Sequence, residues 1–221
     1  MAEPPIRYED RIFVCGTTSS GKSQLARRLY LASAAPRLVI DPANSALTNT
    51  PGAVTFHDPT TGVTPSGDSW HDAATARFVP ADPYDLSAYS ALYDYLFARA
   101  QAGRPCWVWC DEARYVFPSD GGRNRGGLRA IAQGRKFGLG HLACHTRPRW
   151  VRTDLVSEAA HVFLFDLPAA ADRAYVADNI GITASELDAA HAQLDPHGYL
   201  WWRQRTRELL ICEPLPRSAL A

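Results

Sequence analysis

The sequence predicts an α/β fold, a mostly parallel central sheet with helices on both faces and a C-terminal β-hairpin. Three observations carry that prediction. Short apolar runs recur along the chain, most of them stopped by Gly, Pro or Asp, each the length of a buried strand. Segments of helical spacing separate them, so strands and helices alternate. The first run, "RIFVC", ends in the glycine-rich "GTTSSGKS" and passes directly into a helical pattern.

The elements follow in order. Arg11–Gly16 is a strand stopped by glycine, and the next segment carries Leu25, Leu29 and Leu31 with Ala26 and Ala32 at roughly helical spacing. "RLVIDP" is a second strand. From about 43 to 76 the chain is rich in Pro, Gly, Thr, Ser and Asp without periodicity, so an irregular insertion is expected, with a short strand at "AVTF". "ARFVP" is a third strand. "DLSAYSALYDYLFARAQAG" is an amphipathic helix with Asp85 as its cap and Gly103 past its end. "CWVWCDEA" is a strand ending in two carboxylates, "PSDGGRNRGG" a flexible basic loop, "LRAIAQGRKFG" a helix and "LGHLACHT" a strand. After a connection come the strand "HVFLFDL", the helix "AADRAYVADNIG" and a helix opened by a Thr183/Glu186 capping box. "GYLWWRQRTRELLICEP" reads as the hairpin. No repeat or linker divides the chain, so one domain is expected over 1–221, with a C-terminal extension from about 168.

Composition narrows the function classes. Hydrophobic content of 46% and charged content of 21% belong to a globular protein. No apolar run of membrane-spanning length occurs and the first residues lack a signal core, so a cytoplasmic protein is expected. Five cysteines without CxxC spacing point to reduced thiols rather than a disulfide framework. A metal site from Cys144 with His141 or His145 is disfavoured, because these residues alternate along one strand like ordinary core and surface positions. Net charge is zero, but Arg114, Arg123, Arg125, Arg129, Arg135, Lys136, Arg147, Arg149 and Arg152 are opposed within their stretch only by Asp120. One basic stripe on a neutral protein is enough to grip a polyanion.

Gly16–Ser23 has the spacing of a phosphate-binding loop, and only Lys22 and Lys136 among 23 basic residues are lysines. Gly16, Thr17, Thr18, Ser19, Ser20, Gly21, Lys22, Ser23 and Gln24 are therefore the candidate nucleotide-binding residues, their backbone N–H groups aimed at phosphate oxygens at a helix N-terminus. Lys22 would bridge the outer phosphates, and Ser23 with Asp111 would hold Mg²⁺ on ATP. Asp111 ends an apolar strand, as in a Walker B motif. Glu112, one residue on, is placed to polarise an attacking water, which favours ATP hydrolysis over phosphoryl transfer to a small acceptor.

"AQGRKFGLGHLACHTRPRWV", "SEAAHVFLFDL" and the earlier "LVIDP" resemble the FtsK–HerA superfamily of P-loop ATPases, over about Arg11 to Leu167. A bare core of this length resembles, within it, the genome-packaging ATPases of membrane-containing double-jelly-roll viruses. The resemblance implies a ring, usually a hexamer, that moves double-stranded DNA, with capsid vertex proteins as further partners and the host cytoplasm or the virion vertex as its location. It implies that Arg135 is an arginine finger acting on a neighbouring subunit's nucleotide. Two departures stand out: "HTRP" puts Thr146 where the family has a sensor glutamine, leaving Thr146 or Arg147 to sense, and Ser19 replaces a family glycine. Arg123 and Arg125, in Gly121–Gly127, are the candidate DNA-binding pore loop, with its glycines supplying mobility. Alternatives are a motor of the same core for protein or phage assembly or conjugative transfer, a small-molecule kinase, and a nucleotide-gated module with little turnover.

Overall fold

The computed structural model describes residues 6–34, 36–61 and 69–216. β1 (Arg11–Cys15) runs parallel between β6 (Gly140–His145) and β7 (His161–Leu164), and so is buried on both faces. On the far side of β6 lie β5 (Trp107–Cys110), β2 (Arg37–Ile40), β4 (Thr75–Phe78) and β3 (Val54–Phe56), all parallel. β8 (Tyr199–Arg203) and β9 (Glu208–Cys212) form the expected hairpin and add antiparallel strands beyond β7. The sheet is nine-stranded, in the order β3-β4-β2-β5-β6-β1-β7-β8-β9.

Strand alternation divides the core into two layers. Ile12 and Val14 face α1 (Lys22–Ala32), where Tyr30 packs 6.1 Å from Trp107 and 5.6 Å from Trp109 between ring centroids. Phe13 and Cys15 face the larger layer. That layer is built from α2 (Leu86–Gln101), α3 (Ala113–Val116), α4 (Arg125–Gln133), α5 (Asp154–Ser157), α6 (Ala170–Ile180) and α7 (Ala184–His191). Asp85 caps α2 by accepting from the N–H groups of Ser87 and Ala88, and the Thr183/Glu186 capping box starts α7.

The irregular segment does hold a strand at Val54–Phe56, whose last ring stacks on Trp70 at 4.2 Å. Residues 62–68 of it lie outside the described residues. The loop after β2 is tied down by buried Asp41, which accepts from Ser45 N–H (3.1 Å), the Thr48 hydroxyl and the Arg77 guanidinium. Such a pair adds little net stability after desolvation, but it selects one loop conformation.

Three expectations change. First, the glycine-rich basic segment is not one loop. Asn124 is buried and caps α4, its Oδ1 accepting from Gly127 N–H at 2.8 Å, so the helix already begins at Arg125. Gly126 and Gly127 are there for packing, not mobility: a Cβ on Gly126 would lie 2.2 Å from the Ser90 carbonyl oxygen. Second, β6 has no surface positions, since every residue from Gly140 to His145 is buried between β5 and β1. His141 meets the Tyr93 hydroxyl at 2.8 Å, and burial pushes its pKa down to about 3. Third, the basic stretch is not a basic stripe. Acids from elsewhere reach Arg129 (Asp94), Arg135 (Asp10) and Arg147 (Asp172), while Arg114, Arg123, Arg125, Lys136 and Arg149 are exposed on its surface.

Gly126→Ala should lower unfolding free energy by about 1–3 kcal/mol through overpacking against α2, whereas Gly122→Ala, which meets only the tip of Leu86, should be nearly neutral. Urea denaturation of both variants measures the contrast, and equal tolerance would refute the packing role.

Candidate nucleotide site

The phosphate-loop sequence lies between the end of β1 and the start of α1, pressed onto the chain leaving β7. Gly16 has φ 146° and Gly21 φ 112°. A Cβ on Gly16 would lie 2.6 Å from that of Phe165, and one on Gly21 would lie 3.0 Å from the Phe165 ring. Thr17 N–H donates to the Asp166 carbonyl at 2.8 Å, fixing the loop's first turn. Ser19 adopts φ 64°, the left-handed region that its family-like glycine would enter freely. α1 opens with Gly21 at its N-cap, no capping side chain and no acid in its first turn, so its leading N–H groups suit an anion. Lys22 is buried and donates from Nζ to the Thr17 carbonyl at 2.6 Å. Burial lowers its pKa, with nearby thiols and carboxylates opposing the shift.

β5 delivers the acids to the same end of the sheet. Asp111 is buried, and its pKa is pushed up to about 7, first by desolvation and then by Glu112 and Asp41. Glu112 has φ 51° and ψ 58°, a conformation costing a non-glycine residue on the order of 1 kcal/mol or more. Its Oε2 lies 3.0 Å from Nδ1 of buried His145, a bond that chiefly holds the Glu112 carboxyl below the usual range. Lys22, Ser23, Asp111, Glu112, His145 and Thr146 line one cleft of about 780 Å³, a size that suits a nucleotide. Phe165, Pro196, His197, Pro214 and Leu215 form an apolar wall of the same cleft, a contribution of the C-terminal region that the sequence does not advertise. The oxygen donors of Ser23 and Asp111 fit Mg²⁺: they are hard ligands lining one cleft, and burial beside Glu112 and Asp41 gives Asp111 a carboxyl group that a cation would stabilise in its ionised form.

Other candidates lie elsewhere. Arg147 has its guanidinium over the Trp150 ring (5.1 Å) and 3.9 Å from Asp172, outside the residues lining this cleft. Arg135 is 3.5 Å from Asp10, which precedes β1. The five residues of β1 separate Asp10 from Gly16, about 20 Å over six extended steps, so Arg135 sits at the opposite end of the sheet from its own phosphate loop. Asp10 also receives His161 at 3.2 Å and, from the hairpin turn, Arg205 at 3.9 Å. Arg123 and Arg125 are exposed, while Gly121 and Gly122 border a second cleft that shares Thr18, Glu112, His145 and Thr146 with the first. His145 was missed because its sequence signal is only a histidine at a strand end; the register supplies the rest.

This is the P-loop NTPase fold. Solved structures share it along nearly the whole chain. The genome-packaging NTPase B204 of Sulfolobus turreted icosahedral virus 2, in complex with ATP-γS, superposes with a TM-score of 0.75 at 15% identity, covering 96% of this chain and 100% of that one. VirB4 of Thermoanaerobacter pseudethanolicus gives 0.67 at 10% identity, covering 96% and 91%. EssC (ATPases 2 and 3) of Geobacillus thermodenitrificans gives 0.57 at 14% identity, covering 94% of this chain and 40% of that one. No protein-family model and no curated protein matches the sequence.

Two predictions follow from the loop and the buried acid. Ser19→Gly should keep or tighten ATP binding and leave stability equal or higher by up to about 1 kcal/mol, as αL strain is traded against glycine's entropy. Calorimetric titration would show a large affinity loss if the loop gripped phosphate in some other way. Without divalent cations, Asp111→Asn should stabilise the protein increasingly as pH rises. The folded state holds the Asp111 proton up to about pH 7 while the unfolded chain releases it near 3.8, so the wild type loses stability across that window. The gain should be near zero at pH 4 and reach about 2–4 kcal/mol above pH 8, read by thermal denaturation in chelator.

Proposed function

We propose that this chain is an ATP-hydrolysing, ring-forming motor that translocates double-stranded DNA, most simply to package a viral genome. The observation that carries the reading is the cleft itself, where a phosphate loop, a desolvated Asp111 and an ionised Glu112 converge. The end-to-end likeness to a viral packaging NTPase supports the choice of substrate.

In this reading the open N-terminus of α1 and Lys22 hold the triphosphate, with Lys22 leaving the Thr17 carbonyl for the β- and γ-phosphates. Ser23 and Asp111 would hold Mg²⁺, which would supply charge neutralisation at the phosphates. Glu112, kept ionised, accepts a proton from the attacking water. Thr146 contacts the γ-phosphate side of the cleft. Arg135, remote from its own loop, serves only a neighbouring copy's nucleotide, and that need makes a ring, with hexamers the family habit. Arg123 and Arg125 meet the DNA backbone without reading sequence, and the Gly121–Gly122 turn links them to the cleft wall. Capsid vertex proteins are the further partners in a packaging role, at the virion vertex or in the host cytoplasm. Among the described residues, no helix is long and apolar enough to cross a membrane.

A second reading, a motor moving protein or conjugative DNA, draws on the likeness to VirB4 and EssC. ATP turnover with and without duplex DNA separates the two. The packaging reading expects stimulation by DNA that falls steeply between 50 and 200 mM salt in line with counterion release, and loss of stimulation in Arg123→Ala/Arg125→Ala. Glu112→Gln should retain ATP binding and lose at least about 100-fold in kcat. Full turnover in that variant would remove Glu112 from the mechanism.

A further inference from the structure

We infer that His145 is the positioning residue of ATP hydrolysis: its Nδ1–H holds the Glu112 carboxylate at the phosphate end of the cleft. This rests on the reading of Glu112 as the group that polarises water. Three features of the structure meet at the pair.

The first is register. β5 and β6 are parallel neighbours with Cys110 opposite Ala143, so Glu112, just past the end of β5, leaves the sheet beside the His145 end of β6. The side chains meet at 3.0 Å. Thr146, one residue past the end of β6, lines the same cleft. Within "HTRP" it is His145 that reaches Glu112, whereas Arg147 lies by Asp172 and Trp150.

The second is the accounting of polar atoms. His145 is 5% exposed, yet its Nε2 is buried without a hydrogen-bond partner among the described residues. A buried imidazole satisfied on one side only is an expensive residue for a core strand. A carboxylate oxygen accepts, so in this bond the His145 Nδ1–H donates. The Glu112 bond is the one hydrogen bond this ring makes among the described residues.

The third is strain. Glu112 sits in the left-handed region, where a side chain persists only if its surroundings hold it. Lys22 lies close enough to attract Glu112. Collapse of Glu112 onto Lys22 would take away the carboxylate and the phosphate clamp together. The His145 bond draws Glu112 toward β6 instead and leaves Lys22 for the nucleotide.

The test compares His145→Phe, which keeps bulk and removes the donor, with His145→Asn, whose amide nitrogen falls near the place of Nδ1. In steady-state ATPase assays on the full chain, His145→Phe should lower kcat by about 10–100-fold while KM for ATP stays within about twofold. His145→Asn should recover most of that loss. Because His145 acts through Glu112, His145→Phe should cost nothing further in a Glu112→Gln background. Unchanged kcat in His145→Phe, a rise in KM matching the fall in kcat, no recovery in Asn, or an additive double variant would each overturn the inference. Should the Phe variant fail to fold by circular dichroism, His145→Gln replaces it: its donor is displaced from the Nδ1 place, so it must fail where Asn succeeds. An active Glu112→Gln would instead defeat the reading of Glu112, an outcome distinct from an inactive Glu112→Gln beside fully active His145 variants.

Discussion

The site depends on one close approach, that of the phosphate loop to Phe165. The loop leaves β1 and must turn back within a few residues to start α1, while the chain leaving β7 runs directly beneath it. Gly16 and Gly21 have no room for a Cβ above Phe165, and both stand at positive φ. Glycine is thus required twice, once by backbone conformation and once by contact. The bond from Thr17 N–H to the Asp166 carbonyl completes the seat. Whatever moves β7 moves the phosphate-binding N–H groups, which couples the C-terminal half of the chain to the nucleotide.

Parallel strands give the sheet two unlike ends. All the groups suited to phosphate chemistry collect at the carboxyl end, where β1, β5 and β6 deliver the loop, the two acids and His145. The amino end carries a different cluster, in which one buried carboxylate, Asp10, gathers His161, Arg135 and Arg205. Burial works against ionisation there, but the His161 bond, Arg7 N–H and Arg135 outweigh it and keep the Asp10 pKa lowered. The hairpin of β8 and β9 contributes to both ends: its turn brings Arg205 to Asp10, and the residues flanking it wall the nucleotide cleft. It also covers the edge of β7, Trp201 stacking on Phe163 at 5.4 Å.

Several strained or unmet polar groups lie where the chemistry would occur. Ser19 and Glu112 take left-handed conformations, Asp111 is held from ionising, and Ser20 Oγ and His145 Nε2 are buried without partners among the described residues. They are not confined to it, since Tyr30, Trp70 and Trp109 also bury a polar atom without a partner among the described residues, whereas the Asp41–Arg77–Thr48 knot that sets the loop after β2 is compensated. A stable core does not need the first group of features, and evolution toward stability alone would remove them.

Much of this was legible in the residues. Apolar runs of strand length marked the buried strands, and helical spacing with the Asp85 and Thr183 caps marked α2 and α7, because those signals are local. The motif spacing alone nominated Gly16 to Gln24, Asp111 and Glu112, since loop, acid and strand are consecutive in the chain. The basic segment misled for the opposite reason. The Asn124 cap is local, but that Gly126 would lie against Ser90, and that Asp94, Asp10 and Asp172 would return to the arginines, depends on chain far away in sequence. By itself, then, the sequence determined the parallel α/β frame, the hairpin and the phosphate loop with its acids. Only the tertiary structure decided that His145 faces Glu112, that Phe165 shapes the loop, and that Arg135 stands at the far end of the sheet. Periodicity and glycine geometry are written into neighbouring residues, whereas strand order and register are set by packing between elements distant along the chain.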